Sequence, residues 1–217
     1  EDVKIVFTSA GSPKKHTALL QSNGIKVVHV VSSSTFALKS QEAGVDAVVA
    51  EGFEAGGHNG HEETTTMCLI PSVKSSIEIP LIAAGGIGSG HAIVAALALG
   101  ADAVQIGSLF ACSKESSGHL NYKEAIAQSR EGSTKLHLKK VVPVRLLDND
   151  FKKKVEILES KGASQEELSK FLGKGRAKKG IFEGNLTEGE LEIGQVSAGI
   201  ESIKTVKEIF AQLEKEF

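Results

Sequence analysis

Short apolar, β-branched runs recur along the first half of the chain, and stretches with helical spacing separate them. Successive runs begin about 20 to 35 residues apart, too far for hairpins and suited to units of a strand followed by a helix. They are apolar nearly throughout, as expected for parallel strands covered on both faces. Five strands are therefore predicted, over Val3 to Phe7, Lys26 to Val31, Ala47 to Ala50, Pro80 to Ala84 and Ala103 to Ile106.

Glycine-containing stop signals follow the helical stretches between these runs. Gly24 follows His16 to Leu20, Gly44 follows Phe36 to Glu42, and Gly100 follows Ile93 to Leu99. Beyond Phe110 the pattern becomes mainly helical. It predicts helices over Asn121 to Arg130 and Phe151 to Lys161, a helix start at Ser164 and an amphipathic terminal helix over Ser202 to Phe217.

The glycine-rich stretch Gly180 to Gly199 lies before the terminal helix. It predicts either a loop that folds back toward the strand ends or a mobile linker, and the sequence does not decide between them.

Composition adds few constraints. The 217 residues are 41% hydrophobic and 24% charged, with a formal net charge of −2, as in a soluble domain with its own core. The basic runs Lys152 to Lys154 and Lys174 to Lys179 lack interleaved aromatic residues and predict solvated faces, not a nucleic-acid site. Two cysteines favour a reducing cytoplasm, and no apolar stretch approaches the ~20 residues of a membrane span.

Small residues end the last two predicted strands, in the segment Ile79 to Phe110. Gly85-Gly86 follows one strand and Gly107-Ser108 follows the next. Main-chain N–H groups at two adjacent loops and a helix start can surround a phosphate, because glycine leaves the backbone accessible. The alternative is that these glycines only make tight turns.

The loop AEGFEAGGHNGHEE, Ala50 to Glu63, concentrates glycine, histidine and acidic residues after the third predicted strand. His58 could transfer a proton near neutral pH, or it could be an ordinary surface histidine. His61 with its two acidic neighbours has too few ligands for a convincing metal site, so no metal is predicted. Cys68 lies on an apolar helical stretch and is predicted to be in the core.

Several motifs of the chain resemble one family. The chain is similar to the FMN-dependent barrel enzymes that include nitronate monooxygenases, once called 2-nitropropane dioxygenases, and the flavin-type enoyl-acyl-carrier-protein reductase II. The motifs are TSAGSP (8–13), AEGFEAGGHNG (50–60), IAAGGIGSG (82–90), ALGADAVQIGSLF (98–110), KESSGHLNYKE (114–124) and GELEIGQVSAGI (189–200).

The resemblance implies an α/β fold, the (β/α)8 TIM barrel, of which this chain would hold the last five βα units and a helical C-terminal region. Five parallel strands cannot close a barrel and would leave an exposed apolar edge. We therefore expect the C-terminal part of a longer protein, or a half-barrel that closes by self-association. Residues 1–133 would be barrel, 134–190 a helical excursion, and 191–217 the returning loop and terminal helix.

The resemblance also implies a site. FMN would be held noncovalently, with its phosphate at four loop residues and with Glu51 and Gln105 against the ring or the ribityl chain. Gly56 would lie beside the flavin, and the bare backbone of Gly56-Gly57 would leave room for the ring and the substrate. His58 matches the catalytic histidine. The four phosphate residues would be Gly85, Gly86, Gly107 and Ser108.

Two activities follow from the resemblance. The motifs EGFEAGGHNG and KESSGHLNYKE favour reduction of 2-enoyl thioesters with NADH or NADPH, and acyl carrier protein is then an expected partner. The alternative is oxidation of alkyl nitronates with molecular oxygen. A second alternative is a non-catalytic barrel fragment or binding module. Self-association as a homodimer is also open.

Overall fold

Eight strands form two sheets in the computed structural model, which describes residues 2–217. Strands β1, β2, β3, β5 and β6 make a parallel sheet in that order, and β4, β8 and β7 make a smaller antiparallel sheet. The strands are β1 (Ile5–Thr8), β2 (Lys26–Val31), β3 (Ala47–Glu51), β4 (Gly57–His58), β5 (Leu81–Ala84), β6 (Ala103–Gln105), β7 (Thr134–His137) and β8 (Val144–Leu147).

The parallel sheet confirms the five predicted strands and the partial (β/α)8 barrel. Within residues 2–217 the sheet does not close on itself, so β1 and β6 are its edges. On the β1 edge, Ile5 and Phe7 are 55% and 51% exposed. This is the exposed apolar edge that five strands of a barrel should leave.

Nine α-helices accompany the strands within residues 2–217. Two of those between strands of the parallel sheet begin at serine caps: the Ser33 hydroxyl accepts from Phe36 N, and the Ser89 hydroxyl accepts from Ala92 N. Within residues 2–217 they are α1 (Thr17–Ser22), α2 (Ser34–Glu42), α3 (Thr66–Lys74), α4 (Gly90–Ala98), α5 (Ser108–Ala111), α6 (Leu120–Ala127), α7 (Asp150–Ser160), α8 (Gln165–Leu172) and α9 (Val206–Glu216).

The main core lies between the parallel sheet and its helices. Val48 and Leu81 on the strands pack with Leu69 and Ile70 of α3, all at most 2% exposed. A smaller cluster around Val28 and Val49 packs on the opposite face of the sheet. Apolar residues on both strand faces therefore explain the nearly continuous apolar runs.

The antiparallel sheet was not predicted. The segment 134–190 begins with β7 and β8, so it is not a purely helical excursion. β8 also pairs with β4, which sets Gly57 opposite Arg145 and His58 opposite Val144. The boundaries proposed for the three segments stay a prediction.

The stretch Gly180 to Gly199 returns to the strand ends, which confirms the first of its two alternatives. Gln195 N donates to Glu54 O at 2.9 Å, and Gly194 N donates to the Ser108 hydroxyl at 3.1 Å. The chain then enters α9, whose Glu216 carboxylate accepts from Gly90 N at the start of α4. Hydrogen bonds thus fix both the returning loop and the end of the helix that follows it.

Two single-residue expectations have different outcomes. Cys68 is exposed, so its assignment to the core was wrong; α3 buries Leu69 and Ile70 and turns Cys68 outward. The predicted helix start at Ser164 is confirmed, because Ser164 and Glu167 form a capping box. Every helix within residues 2–217 is too short or too polar to span a bilayer.

Candidate active site

A cavity of about 360 Å³ opens where strands β3, β5 and β6 end. We call it the first cavity. Ligands gather at this edge of parallel α/β sheets because loops and free main-chain groups meet there. Seven of the eight predicted site residues line it, and their roles stay predictions: Glu51, Gly56, Gly85, Gly86, Gln105, Gly107 and Ser108.

Gly85 and Gly86 have backbone conformations that favour glycine, with φ of +87° and +69°. A Cβ on Gly85 would also lie 2.8 Å from the carbonyl oxygen of Gly52. The close approach of the loops after β3 and β5 therefore requires glycine at position 85. Gly107 differs, since a Cβ there would meet nothing within 4 Å.

The main-chain N–H groups of Gly85, Gly86, Gly107 and Ser108 donate no hydrogen bond to any residue among 2–217. Unpaired donors beside a cavity suit an anion, so these loops fit the phosphate of FMN. Gly90 N, at the start of α4, cannot contribute, because it already donates to the Glu216 carboxylate.

Ser108 joins the first cavity to the returning loop. Its hydroxyl oxygen accepts from Gly194 N at 3.1 Å and leaves its proton free for a ligand. Gly56 packs against the same loop, since a Cβ there would lie 2.4 Å from the carbonyl carbon of Ile193. Glycine at position 56 thus admits the main chain of Ile193-Gly194, which differs from the predicted reason of leaving room for a ring.

Two half-buried carboxyl groups line the first cavity. Burial raises the pKa of Glu51 to about 7, and no side chain among residues 2–217 hydrogen-bonds to its carboxyl group. Burial also raises the pKa of Glu192, while the nearby His58 acts in the opposite direction. Glu192 was missed because acidic residues are mostly exposed. The sequence feature that could have indicated its burial is the alternation of acidic and apolar residues in GELEI, 189–193.

Glu54 connects the loops that follow β3 and β5. Its carboxylate accepts from Thr66 N and from the Thr66 hydroxyl, both at 2.9 Å, and so caps α3. The same hydroxyl lies 2.9 Å from the carbonyl oxygen of Gly85. This contact holds the predicted phosphate loop against the loop that leads to His58, a role the sequence analysis did not assign.

His58 does not line the first cavity. It is exposed on β4 and lines a second cavity of about 140 Å³. Glu192 lies near both regions. It lines the first cavity, and its Oε2 would lie 2.8 Å from a Cβ added to Gly57, the residue before His58. The predicted acid–base residue and the predicted cofactor residues thus line different cavities.

Metal-ligating side chains are not grouped near His61. Across residues 2–217 no three His, Cys, Asp or Glu side chains are arranged to hold a metal ion.

Comparison with known proteins gives a consistent result. The sequence profile described as nitronate monooxygenase matches residues 1–216. A probable nitronate monooxygenase of Staphylococcus saprophyticus is 39% identical over 142 residues, and the nitronate monooxygenase of Pseudomonas aeruginosa is 38% identical over 139. Each match covers 61% of this chain, which spans only 40% of the length of these curated relatives.

Solved structures match over more of the chain. FabK from Thermotoga maritima is 40% identical, with a TM-score of 0.91, and the match covers 99% of this chain and 68% of that one. A nitroalkane oxidase from Streptomyces ansochromogenes is 26% identical, with a TM-score of 0.80, over 100% of this chain and 64% of that one. The chain belongs to the nitronate monooxygenase family.

Proposed function

We propose that the protein is an FMN-dependent oxidoreductase that reduces 2-enoyl thioesters with NADH or NADPH. The observation that best supports FMN as the cofactor is the first cavity, which is lined by seven predicted residues and four unpaired main-chain donors. The similarity to FabK over 99% of this chain supports the reductase chemistry.

The loop amides of Gly85, Gly86, Gly107 and Ser108 would hold the phosphate, and Gln105 and Glu51 would contact the ribityl chain or the ring. When bound, FMN supplies two-electron redox chemistry to the site. Because the pKa of Glu51 is raised to about 7, its carboxyl group is protonated below that pH and can donate a hydrogen bond.

Reduction of a 2-enoyl thioester adds a hydride equivalent at the β-carbon and a proton at the α-carbon. We propose that His58 either supplies this proton or orients the group that receives it. The thioester would reach the protein as a small molecule or on acyl carrier protein.

Oxidation of alkyl nitronates is the second candidate. The family profile over residues 1–216 and the curated relatives favour it. In this reaction His58 would remove the α-proton when a neutral nitroalkane is the substrate. A non-catalytic binding module is the third candidate, and it requires that the first cavity take up no flavin.

One set of assays on the purified full-length protein separates these functions. A reductase would be yellow and would consume NADH or NADPH with a crotonyl thioester. A monooxygenase would be yellow and would consume oxygen with propionate 3-nitronate while leaving NADH untouched. A colourless protein that gains no absorbance from added FMN would contradict both enzymatic proposals.

A further inference from the structure

The charged side chains that line the first cavity are all acidic. Of the residues among 2–217 in its wall, Glu51, Glu54 and Glu192 are acids, and none is lysine, arginine or histidine. Tyr122, which also lines the cavity, stays uncharged because burial raises the pKa of its hydroxyl group. The main-chain donors of the phosphate loops are therefore the positive partners that this part of the chain offers to an anion.

Glu192 differs from Glu54 in the freedom of its carboxyl group. The Glu54 carboxylate is occupied, because it accepts from the main chain and the hydroxyl of Thr66. No residue among 2–217 donates a hydrogen bond to the Glu192 carboxyl group. Its backbone is nevertheless fixed, since the Tyr122 hydroxyl donates to Glu192 O at 2.7 Å and Leu146 of β8 forms a bridge with it. Glu192 thus presents a carboxyl group that is free to act on a ligand.

The position of Glu192 relates the first cavity to His58. Glu192 lines the first cavity, whereas His58 does not. Burial raises the pKa of Glu192 and His58 opposes the rise, so the imidazole is close enough to interact with the charge of this carboxyl group. A substrate that occupies the first cavity and is also reached by His58 therefore lies beside Glu192.

We propose that Glu192 determines substrate specificity by charge, because its carboxylate disfavours a substrate whose reacting group is an anion and tolerates a neutral one. The inference rests on the proposed function in one respect, which is that the substrate occupies the first cavity. Two negative charges a few ångströms apart repel each other more strongly in a partly desolvated site than in water. The reacting carbons of a 2-enoyl thioester are uncharged, whereas a nitronate is an anion, so Glu192 favours the first of the two candidate reactions.

Crotonamide and crotonate test the proposal, because they have the same shape and the same number of non-hydrogen atoms but differ in charge. Their binding to the full-length protein is measured by isothermal titration calorimetry at pH 8, with and without FMN. In Glu192→Gln the affinity for crotonate, relative to that for crotonamide, should rise at least about tenfold over the unchanged protein. Glu51 lines the same cavity and is also ionised at this pH, but it is present in both proteins, so its effect cancels.

Two further variants separate charge from shape. Glu192→Asp keeps the charge and should keep the preference for crotonamide. Glu183→Gln removes an exposed acid of the same returning segment outside the first cavity, and it should bind both ligands as the unchanged protein does. The proposal would be overturned by an unchanged preference in Glu192→Gln, by an equal gain of crotonate binding in Glu192→Asp, or by an unchanged protein that does not bind crotonamide.

The measurements with and without FMN keep this result separate from the proposed function. A colourless protein that takes up no FMN but shows the expected change in Glu192→Gln would support the role of Glu192 while contradicting the oxidoreductase. A yellow protein whose preference does not change in Glu192→Gln would contradict the role of Glu192 and leave the oxidoreductase intact.

Discussion

The guanidinium of Arg145 donates to the carbonyl oxygen of Phe53 from both Nε, at 3.2 Å, and Nη2, at 2.7 Å. Its Cζ also lies 4.4 Å from the centroid of the Phe53 ring. Arg145 is 1% exposed and lies opposite Gly57 in the antiparallel sheet. Arg145 thus holds one end of the short segment from β3 to His58 through its side chain and the other end through its main chain.

Replacement of this cation should destabilise the protein. Arg145→Met keeps the length of the side chain and removes its donors, so the Phe53 carbonyl loses two charge-assisted bonds. We expect the free energy of unfolding to fall by about 2 kcal/mol or more, measured by urea denaturation. Lys135→Met, an exposed cation on neighbouring β7, is the control and should change it by less than about 0.5 kcal/mol. Equal small losses would show that Arg145 does not support the segment.

Gly107 tests the phosphate loops without disturbing the protein. An alanine there meets no protein atom within 4 Å, so Gly107→Ala should leave the urea midpoint unchanged. Its methyl group would enter the first cavity and should weaken FMN binding at least about tenfold, or 1.4 kcal/mol, in a fluorescence titration. Gly199→Ala, also open but outside this cavity, is the matched control. Unchanged FMN affinity in Gly107→Ala would contradict the assignment of this loop.

His58→Ala should leave FMN bound, because His58 lies outside the first cavity. If it performs acid–base chemistry, turnover should fall by about 10²- to 10⁴-fold in steady-state assays with the substrate identified above. His61→Ala, an exposed histidine of the same loop, should retain its turnover. A similar loss in both variants, or in neither, would mean that His58 has been assigned the wrong role.

The raised pKa of Glu51 predicts a dependence of stability on pH. Unfolded, the group ionises near its ordinary pKa of 4.5, and folded near 7. Between these values the unfolded chain releases a proton that the folded chain keeps, so the contribution to stability falls as pH rises and is constant above 7.

The comparison protein is Glu51→Gln, which has no such proton. The difference in unfolding free energy between the unchanged protein and this variant should fall by up to about 3 kcal/mol from pH 4.5 to pH 7. Urea denaturation of the cofactor-free proteins at several pH values measures it. Burial also raises the pKa of Glu190 to about 7, and this effect is the same in both proteins, so it cancels in the difference. A constant difference would mean that Glu51 ionises normally in the folded state.

The sequence predicts the parallel sheet because its signals are local. Each strand is an apolar run, and three of the intervening helices, α1, α2 and α4, are followed within two residues by a glycine. The antiparallel sheet lacks such signals. β7 carries Lys135 and β8 carries Arg145, and their pairing depends on contacts with residues far away in the chain.

The burial of individual charged residues is equally hard to predict from the sequence. Lys152 belongs to a basic run predicted to be solvated, yet it is 3% exposed and its Nζ contacts Asp148 and Glu156 at 2.6 and 2.8 Å. Glu190 is buried and Glu192 is half-buried because the returning loop crosses the strand ends. Composition gives no indication of such burial, whereas the glycines of the first cavity were predictable because close backbone approach leaves few other choices.

The hydrogen bond between Ser108 and Gly194 joins residues separated by 86 positions. Protein synthesis proceeds from the N-terminus, so the strand-end loops leave the ribosome well before the segment that completes the wall of the first cavity. A nascent chain that stops short of Gly194 carries the phosphate loops without their cover. If the first cavity takes up FMN as proposed, its loading must follow synthesis of this segment, and a chain truncated before Gly194 should lose flavin while its parallel sheet stays intact.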